Sequence, residues 1–186
     1  MDGTVAVLPN ELALVARATA EPAAFAAIYD HYFPRVYNYV RYRVRDAATA
    51  DDVTAQVFER ALVNIGKFHP ERAPFAAWLF GIARNGVNDH FRAQKRRRWL
   101  SLDVLRDRAS AEPRLEEIVV QNESRAELLA GMAHLSNRER DIIALKFGAG
   151  LTNRRIAALT RLSESNVGVI LYRAVRRLRV ELTDKE

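Results

Sequence analysis

The residues that follow Ser163 predict a helix with DNA-binding chemistry on one face. Its apolar side chains recur at three-and-four spacing, at Val167, Ile170, Leu171, Ala174 and Leu178. Mostly off this apolar face lie Asn166, Arg173, Arg176 and Arg177. In the major groove, the first turn of such a helix meets base edges while its arginines meet phosphates. The pattern favours DNA binding, and a surface helix with solvated arginines is the alternative.

A second helix, predicted over residues 74–98, is divided into faces in the same way. Its apolar face contains Phe75, Trp78, Leu79, Ile82 and Ala83. Its other face presents small residues and then amides and cations, at Ala77, Gly81, Arg84, Asn85, Asn88, Arg92 and Lys95. This order would let a nucleic-acid backbone approach the helix closely. The basic run at residues 95–98 extends the cationic part of this face. The alternative is a charged helix end, because cations near a C-terminus also favour the helix dipole.

Two neighbouring segments carry weaker signals. The loop of residues 67–74 is bounded by Phe68 and Phe75, and a polar loop between aromatic rings can hold an extruded base. Its residues alone fit an ordinary connection between helices. Residues 51–62 predict a helix with a polar, partly acidic outer face, which taken alone is a solvated surface.

The composition argues against catalysis and metal binding. The chain has no cysteine, which excludes disulfides, zinc–thiolate sites and thiol catalysis within it. The chain has four histidines, which are His31, His69, His90 and His134. They show no HExxH or similar metal-ligand spacing. Asp51 and Asp52 are adjacent, so on a helix their carboxylates diverge. We therefore predict no catalytic residue, no metal site and no cofactor, and a small helical enzyme is a remote alternative.

The whole chain predicts an all-α fold of two small helical domains joined by a linker, the C-terminal one a helix-turn-helix. Only 8 of the 186 residues are glycine, and no segment alternates like a strand. Helices are predicted at residues 10–19, 22–44, 49–65, 74–98, 114–133, 136–147, 152–159 and 164–182. Pro34 is expected to kink or divide the second of these helices.

The distribution of charge along the chain supports the division into two domains and a linker. The formal net charge of +6 and the pI near 10.0 suit a polyanionic partner. Residues 100–127 hold 4 basic and 7 acidic side chains, whereas the segments on either side are basic. The acidic segment is therefore expected to connect two DNA-facing domains. The sequence shows neither a signal-peptide layout nor an apolar run near the ~20 residues that span a membrane, so we expect a cytoplasmic protein without membrane insertion.

Four strings, in this order, resemble the bacterial RNA polymerase sigma factors of the extracytoplasmic-function (ECF) type. They are AFAAIYDHYFPRVYNYVRYRV, ADDVTAQVFERAL, FAAWLFGIARNGVNDHFRAQKRR and LSNRERDIIALKFGAGLTNRRIAALTRLSESNVGVILYRAVRRLR. The resemblance covers residues 10–182, and the third and fourth strings together are highly specific. A helix-turn-helix alone would be a far weaker signal.

The resemblance implies a role for each part of the chain. Residues 1–98 would dock on polymerase and melt the minus-ten element, 99–127 would form the acidic linker, and 128–186 would bind the minus-thirty-five element. The implied polymerase-binding residues are Asp51, Asp52, Gln56, Glu59 and Arg60. The implied minus-ten contacts are Lys67, Phe68, His69, Arg72, Arg84, Asn85, Asn88, Arg92, Lys95, Arg96, Arg97 and Arg98. The implied recognition-helix contacts are Ser163, Ser165, Asn166, Gly168, Val169, Tyr172, Arg173, Arg176 and Arg177. Core RNA polymerase, promoter DNA and an anti-sigma factor are the implied partners.

The chain departs from the family pattern at several positions. Ala55-Gln56 stands where the family usually has Gln-Glu, which alters the docking surface. Arg161 replaces the glycine expected at the turn of the helix-turn-helix, and Arg155 replaces a glutamate. Gly168 and Val169 stand where many members carry a basic and a hydroxyl residue. The preference for a particular minus-thirty-five sequence is thus left open, although Tyr172 and Arg173 match the family.

The main alternative is a standalone regulator whose helix-turn-helix binds duplex operators. Such proteins usually dimerise to match two half-sites, but no separate dimerisation helix is evident. The sigma interpretation also passes a length test. Two promoter elements about two duplex turns apart are separated by roughly 70 Å, and the connector at 100–127, if extended, reaches roughly 90 Å.

Overall fold

The computed structural model describes residues 8–44, 46–102 and 121–183, and these ranges contain helices and no strand. The N-terminal helices are α1 (Glu11–Ala20), α2 (Phe25–Arg43), α3 (Ala47–Val63) and α4 (Phe75–Leu102). The C-terminal helices are α5 (Gln121–Ala133), α6 (Asn137–Ile143), α7 (Asn153–Thr160) and α8 (Glu164–Thr183). Short 3-10 turns occupy Pro22–Ala24 and Ile65–Lys67, and a π-helical turn occupies Ala144–Gly148. None of the helices in these ranges has the length and apolar character needed to cross a membrane.

The all-α prediction is confirmed, and most helix boundaries agree within a few residues. The predicted helix at 136–147 is divided into α6 and the π-helical turn. Pro34 does not divide α2, which runs on as one helix. Tyr32 and Val36 are buried on either side of the proline, so packing maintains the helical course despite the lost hydrogen bond. Residues 114–120 of another predicted helix lie outside the described ranges.

Polar caps fix the starts of two helices that position the surfaces discussed below. The Asp46 carboxylate accepts hydrogen bonds from the Thr49 amide at 2.6 Å and from its hydroxyl at 2.7 Å, which begins α3. At α6, Ser136 and Glu139 form a reciprocal capping box. The hydrogen bond from Ser136 is the main cause of a lowered pKa of the Glu139 carboxyl, so the acceptor is a carboxylate at neutral pH.

One hydrophobic core runs through both sets of helices. Its fully buried members include Ile28 and Phe80 from the N-terminal helices and Ile142, Leu145 and Ile156 from the C-terminal part of the chain. The π-helical turn packs against α2, and α7 meets α4. The two halves are therefore in direct contact in this structure, a feature that the hydrophobic periodicity of the separate helices did not predict.

Candidate nucleic-acid interface

Helix α8 presents the exposed face that the sequence predicted for DNA recognition. The Ser163 hydroxyl accepts a hydrogen bond from the Asn166 amide at 3.2 Å, so Ser163 acts as the N-cap. Val167, Leu171 and Ala174 are buried and attach the helix to its own domain. The opposite face is exposed at Ser163, Ser165, Asn166, Val169, Tyr172, Arg173, Arg176 and Arg177, and Gly168 is half-buried beside them.

The arginines of this face are not equivalent. Arg177 forms an ion pair with Glu139 at 3.1 Å and so is tied to the capping box of α6. Arg173 and Arg176 are exposed. A phosphate would have to compete with Glu139 for Arg177, and the positive charge of Arg173 also helps to lower the pKa of the Glu139 carboxyl. Tyr172, which directly precedes Arg173, is 69% exposed and presents a large ring to solvent.

The turn between α7 and α8 explains why the family expects glycine at position 161. Arg161 adopts a left-handed conformation with φ 58° and ψ 38°, directly after α7. The Leu162 amide donates a hydrogen bond to the Ala157 carbonyl at 3.1 Å and closes the helix end. A residue with a Cβ is strained in this conformation, so the arginine departure costs stability and leaves the turn geometry intact.

We expect Arg161→Gly to stabilise the protein by about 0.5–1 kcal/mol. Relief of the left-handed strain outweighs the larger entropy loss of glycine on folding. Urea unfolding of the two proteins measures the difference. The control is Arg154→Gly, at an exposed helical position of α7, which should destabilise by about 1 kcal/mol. A loss of stability in Arg161→Gly would contradict this account of the turn.

The loop before α4 is supported by a cluster of aromatic rings. Phe75 is fully buried, and its ring centroid lies 5.3 Å from those of Phe68 and Trp78 and 5.6 Å from that of Tyr32. Phe68 is 9% exposed, so in this structure its ring supports the loop and does not face solvent. The predicted stacking of an extruded base on Phe68 would therefore need the cluster to rearrange.

The polar members of this loop are exposed, as a nucleic-acid contact requires. They are Lys67, His69 and Arg72. His69 lies 3.1 Å from the Glu71 carboxylate, and the Lys67 ammonium donates to the Asn64 side chain at 2.8 Å. These partners are themselves exposed or half-buried, so they leave the polar side chains of the loop accessible to a nucleic acid.

Helix α4 continues this surface away from the loop. Its exposed members among the predicted contacts are Asn85, Arg92, Lys95, Arg96 and Arg97, with Asn88 half-buried. The side chain of Arg98 lies outside the described part of the structure. Arg84 differs from the others, because it is 30% exposed and its Nε donates to the Asp141 carboxylate of α6 at 2.8 Å.

Helix α3 presents the predicted polymerase-binding residues on one outer face. Asp51, Asp52, Gln56, Glu59 and Arg60 are all exposed. The helix is held from the other side by buried side chains, Val53, Val57, Phe58 and Ala61. Arg60 also pairs with Asp89 of α4 at 3.4 Å, so the end of this face is continuous with the basic helix.

Sequence reasoning missed a buried polar cluster between the two halves of the chain. Asp141 is 5% exposed and contacts Tyr39 and Arg43 of α2 as well as Arg84 of α4. Burial raises the pKa of the Tyr39 hydroxyl well above its usual value, which keeps it a hydrogen-bond donor. The only local signal was an acidic residue at the start of an apolar run, Ile142 to Leu145.

Comparison with known proteins matches two separate segments of the chain to family models. The chain matches the Sigma-70 region 2 family over residues 28–97 and the Sigma-70 region 4 family over residues 125–178. The first range contains the α3 face, the loop and α4, and the second contains the helix-turn-helix. These matches identify a sigma factor of the Sigma-70 type.

Two curated relatives identify the type of sigma factor to which the chain belongs. The ECF RNA polymerase sigma factor BldN of Streptomyces coelicolor is 38% identical over 172 residues, which are 92% of this chain and 65% of BldN. The ECF sigma factor SigD of Mycobacterium bovis is 30% identical over 175 residues, which are 91% of this chain and 82% of SigD. The chain belongs to the ECF sigma factors.

Solved structures share its fold. The structure of CnrH in complex with the cytosolic domain of CnrY matches with a TM-score of 0.69 at 22% identity, over 93% of this chain and 97% of CnrH. RpoE of Bartonella quintana, solved with the anti-sigma factor NepR, matches with a TM-score of 0.68 at 20% identity. That match covers 86% of this chain and 96% of RpoE.

Proposed function

We propose that this chain binds core RNA polymerase as its sigma subunit, recognises the minus-ten and minus-thirty-five elements of a promoter, and promotes DNA opening. The observation that carries the proposal is the presence, in one chain, of two separate exposed surfaces that carry amide and cationic side chains. One is the loop and outer face of α4, and the other is the outer face of α8. A standalone operator-binding protein would use only the second.

Within this function, residues 1–98 dock on polymerase and bind the minus-ten element. Residues 99–127 form the linker between the two domains, and residues 128–186 bind the minus-thirty-five element. The α3 face docks on polymerase. Lys67, His69 and Arg72 meet an extruded base and its phosphates, while Phe68 holds the loop in place from within. The assigned DNA contacts of α4 are Arg84, Asn85, Asn88, Arg92, Lys95, Arg96, Arg97 and Arg98. The assigned contacts of α8 are those of its exposed face together with Gly168.

Most of the free energy needed to open the promoter DNA must come from polymerase. Separating duplex DNA costs about 1.4 kcal/mol per stacked step, and capturing one unstacked base returns about 1–3 kcal/mol. One or two captured bases can nucleate a bubble but cannot support a full one. We assign no catalytic step and no cofactor to the chain, and we place its activity in the cytoplasm with polymerase.

Regulation by an anti-sigma factor is part of the proposal. Two proteins of the same fold have been solved with a partner bound, CnrH with the cytosolic domain of CnrY and the Bartonella RpoE with the anti-sigma factor NepR. Such a partner would act by covering the α3, α4 or α8 surfaces.

Run-off transcription tests the function. Purified bacterial core polymerase is given a randomised promoter pool with and without the chain, and the products are sequenced. We expect transcripts that depend on the chain and share two upstream elements. If another sigma factor activates the same core but this chain yields no transcripts, the sigma assignment is wrong. Symmetric operator footprints would then support the standalone regulator.

We expect Asp51→Lys with Asp52→Lys to weaken association with core polymerase by roughly tenfold, because two exposed charges on the docking face are reversed. Binding of the labelled chain to core polymerase in a titration measures the loss. The control is Glu21→Lys with Asp30→Lys, which reverses two exposed charges elsewhere on the N-terminal helices. Equal binding by the two double variants would remove α3 from the interface.

A further inference from the structure

A groove lies between the start of α1 and the loop that precedes α4. Its volume is about 590 Å³, within the ~300–1,000 Å³ that is usual for small-ligand sites. Its lining is largely apolar, with Leu8 and Leu12 from the α1 side, Pro70 and Pro74 from the loop, and Phe75 at the start of α4. We call it the α1 groove. A planar, partly apolar ligand of small size suits such a lining.

Two polar side chains, those of Asn10 and Glu11, also line the α1 groove. Glu11 is oriented from inside the core, because the buried Tyr32 hydroxyl donates a hydrogen bond to its Oε1. Burial raises the pKa of the Tyr32 hydroxyl above its usual value, which keeps it a donor. A carboxylate accepts hydrogen bonds through both oxygens, so Glu11 Oε2 can accept one from a ligand in the groove.

The backbone of Asn10 is unusual. Its φ of 57° and ψ of 28° lie in the left-handed region, which few residues other than glycine and asparagine adopt. Asparagine is a favoured N-cap residue, yet this side chain is exposed and makes no capping hydrogen bond to α1. Strained backbone conformations cluster at ligand sites. The Asn10 amide therefore offers the groove a donor and an acceptor that the helix start does not use.

The α1 groove offers an extruded base the two kinds of contact that such a base needs. Proteins hold an extruded base by packing side chains against its faces and by hydrogen bonds to its Watson–Crick edge. The Phe68 ring is buried, so the loop does not present that ring for stacking. Pro70 and Pro74 of the same loop do line the groove, and the exposed side chains of Lys67 and Arg72 lie on that loop as phosphate partners.

The polar pair of the groove favours one class of base. Cytosine and adenine each carry an exocyclic amino donor beside a ring nitrogen that accepts. A carboxylate such as that of Glu11 accepts from the amino group, and an amide such as that of Asn10 can donate to the ring nitrogen. Thymine has a carbonyl oxygen in place of the amino group, and two acceptors that face each other repel. The groove chemistry therefore selects against thymine.

Helix α1 precedes residue 28, where the match to the Sigma-70 region 2 family begins, and the family-implied contacts do not include it. It contacts α2 and the turn Ile65–Lys67, so the groove is fixed to the loop. We propose that the α1 groove holds one unpaired base of the minus-ten element and that Glu11, aided by Asn10, selects cytosine or adenine there. Tyr32 is a positioning residue for Glu11. The identity of the DNA rests on the proposed sigma function, whereas the choice of base does not require polymerase.

Glu11→Gln tests the selection with a nearly isosteric change. The glutamine carbonyl can keep the hydrogen bond from Tyr32, so the amide NH₂ faces the base and suits the carbonyl oxygen of thymine. Run-off selection from a randomised promoter pool with core polymerase measures the preference. One minus-ten position should change from cytosine or adenine in the parent protein to thymine in the variant, a shift in preference of about tenfold or more. The minus-thirty-five sequence is the internal control and should not change.

Matched variants separate base selection from general destabilisation, which lowers all transcripts alike and changes no single base. Glu21→Gln alters an exposed carboxylate that pairs with Arg17, and it should leave the selected base unchanged. Tyr32→Phe removes the hydroxyl that orients Glu11, so it should weaken the preference severalfold without reversing it.

Filling the groove is a second, independent change. Ala13 lines the groove at an exposed position of α1, and Ala16 is exposed on the same helix without lining it. Ala13→Phe should weaken binding of the holoenzyme to fork-junction DNA of the selected sequence by about tenfold, the loss of one captured base. Ala16→Phe carries the same change in helix propensity and should not weaken it. Equal binding by the two variants would overturn the proposal.

Single-stranded DNA distinguishes failure of this proposal from failure of the sigma function. The free, full-length chain is titrated, with fluorescence polarisation as the readout, into labelled oligothymidines that carry cytosine, adenine, thymine, guanine or no base at one central position. The parent protein should prefer cytosine or adenine, and Glu11→Gln should remove that preference. If the parent yields no transcripts but shows this preference, the sigma function fails and the base site stands. Transcripts whose minus-ten bases are the same for parent and Glu11→Gln would overturn the base site alone, and neither transcripts nor a preference would overturn both.

Discussion

Phe75→Ala is expected to destabilise the protein by about 3–5 kcal/mol, a large part of the ~5–15 kcal/mol that holds a typical domain together. Phe75 is fully buried at the start of α4, and its ring contacts the rings of Tyr32, Phe68 and Trp78. Removing it takes apolar surface out of the core and leaves a cavity that three aromatic neighbours cannot easily fill. Urea unfolding followed by circular dichroism measures the loss.

The same substitution should impair the minus-ten surface more than the minus-thirty-five surface. The ring of Phe68, a member of the loop, packs against Phe75, so the loss of the Phe75 ring should free the loop that carries His69 and Arg72. We expect permanganate-detected promoter opening by the holoenzyme to fall at temperatures where the protein is still folded. Phe75→Leu retains most of the volume and should cost less than about 1.5 kcal/mol.

Trp99→Ala is the control for loss of an aromatic side chain on α4. Trp99 is 70% exposed, so its removal should change stability by no more than about 0.5 kcal/mol. Equal destabilisation by Phe75→Ala and Trp99→Ala would mean that the aromatic cluster does not hold the loop. Normal promoter opening by Phe75→Ala would mean that the loop is positioned by other contacts.

The local features of this fold could be predicted from sequence because short-range patterns determine them. The three-and-four spacing of Val167, Leu171 and Ala174 identified the buried face of α8, and the exposed face followed from it. The family pattern also marked Arg161 as the turn position, and the structure shows the left-handed backbone that makes glycine the usual residue there.

The relation between the two halves could not be predicted in this way. The hydrogen bond between Tyr39 and Asp141 joins residues 102 apart in sequence, and that between Arg84 and Asp141 joins residues 57 apart. No helical period encodes such a pairing. Asp141 resembles any polar residue near a helix start, and only the packing of α6 on α2 reveals that it is buried.

The aromatic loop shows a second limit of sequence reasoning. Phe68 and Phe75 were correctly recognised as the borders of the loop, but their spacing does not say whether each ring faces solvent or the core. The structure buries both, because Trp78 and Tyr32 offer them apolar surface that a water-exposed ring would lack. The exposed side chains of Lys67, His69 and Arg72 are then the loop's candidates for contact with nucleic acid.

The largest effect on binding is expected from Arg173→Ala combined with Arg176→Ala. Both side chains are exposed on the recognition face of α8. Each phosphate contact to duplex DNA contributes about 0.9 to the slope of log K against log salt, so the double variant should flatten that slope by roughly 2. At 0.1 M salt this counterion effect alone corresponds to roughly 60-fold weaker promoter binding. Fluorescence polarisation of labelled promoter DNA with the holoenzyme, across a salt series, measures both quantities.

Two controls assign this effect to the recognition face. Arg17→Ala removes an exposed cation of α1 that pairs with Glu21, and it should leave the slope unchanged. Arg177→Ala removes a cation already paired with Glu139, so its effect on the slope should be smaller than that of either neighbouring arginine. An unchanged slope in the double variant would remove Arg173 and Arg176 from the interface. A slope that fell equally for Arg177→Ala would show that DNA displaces Glu139 from its partner, because only a guanidinium transferred to phosphate releases a counterion.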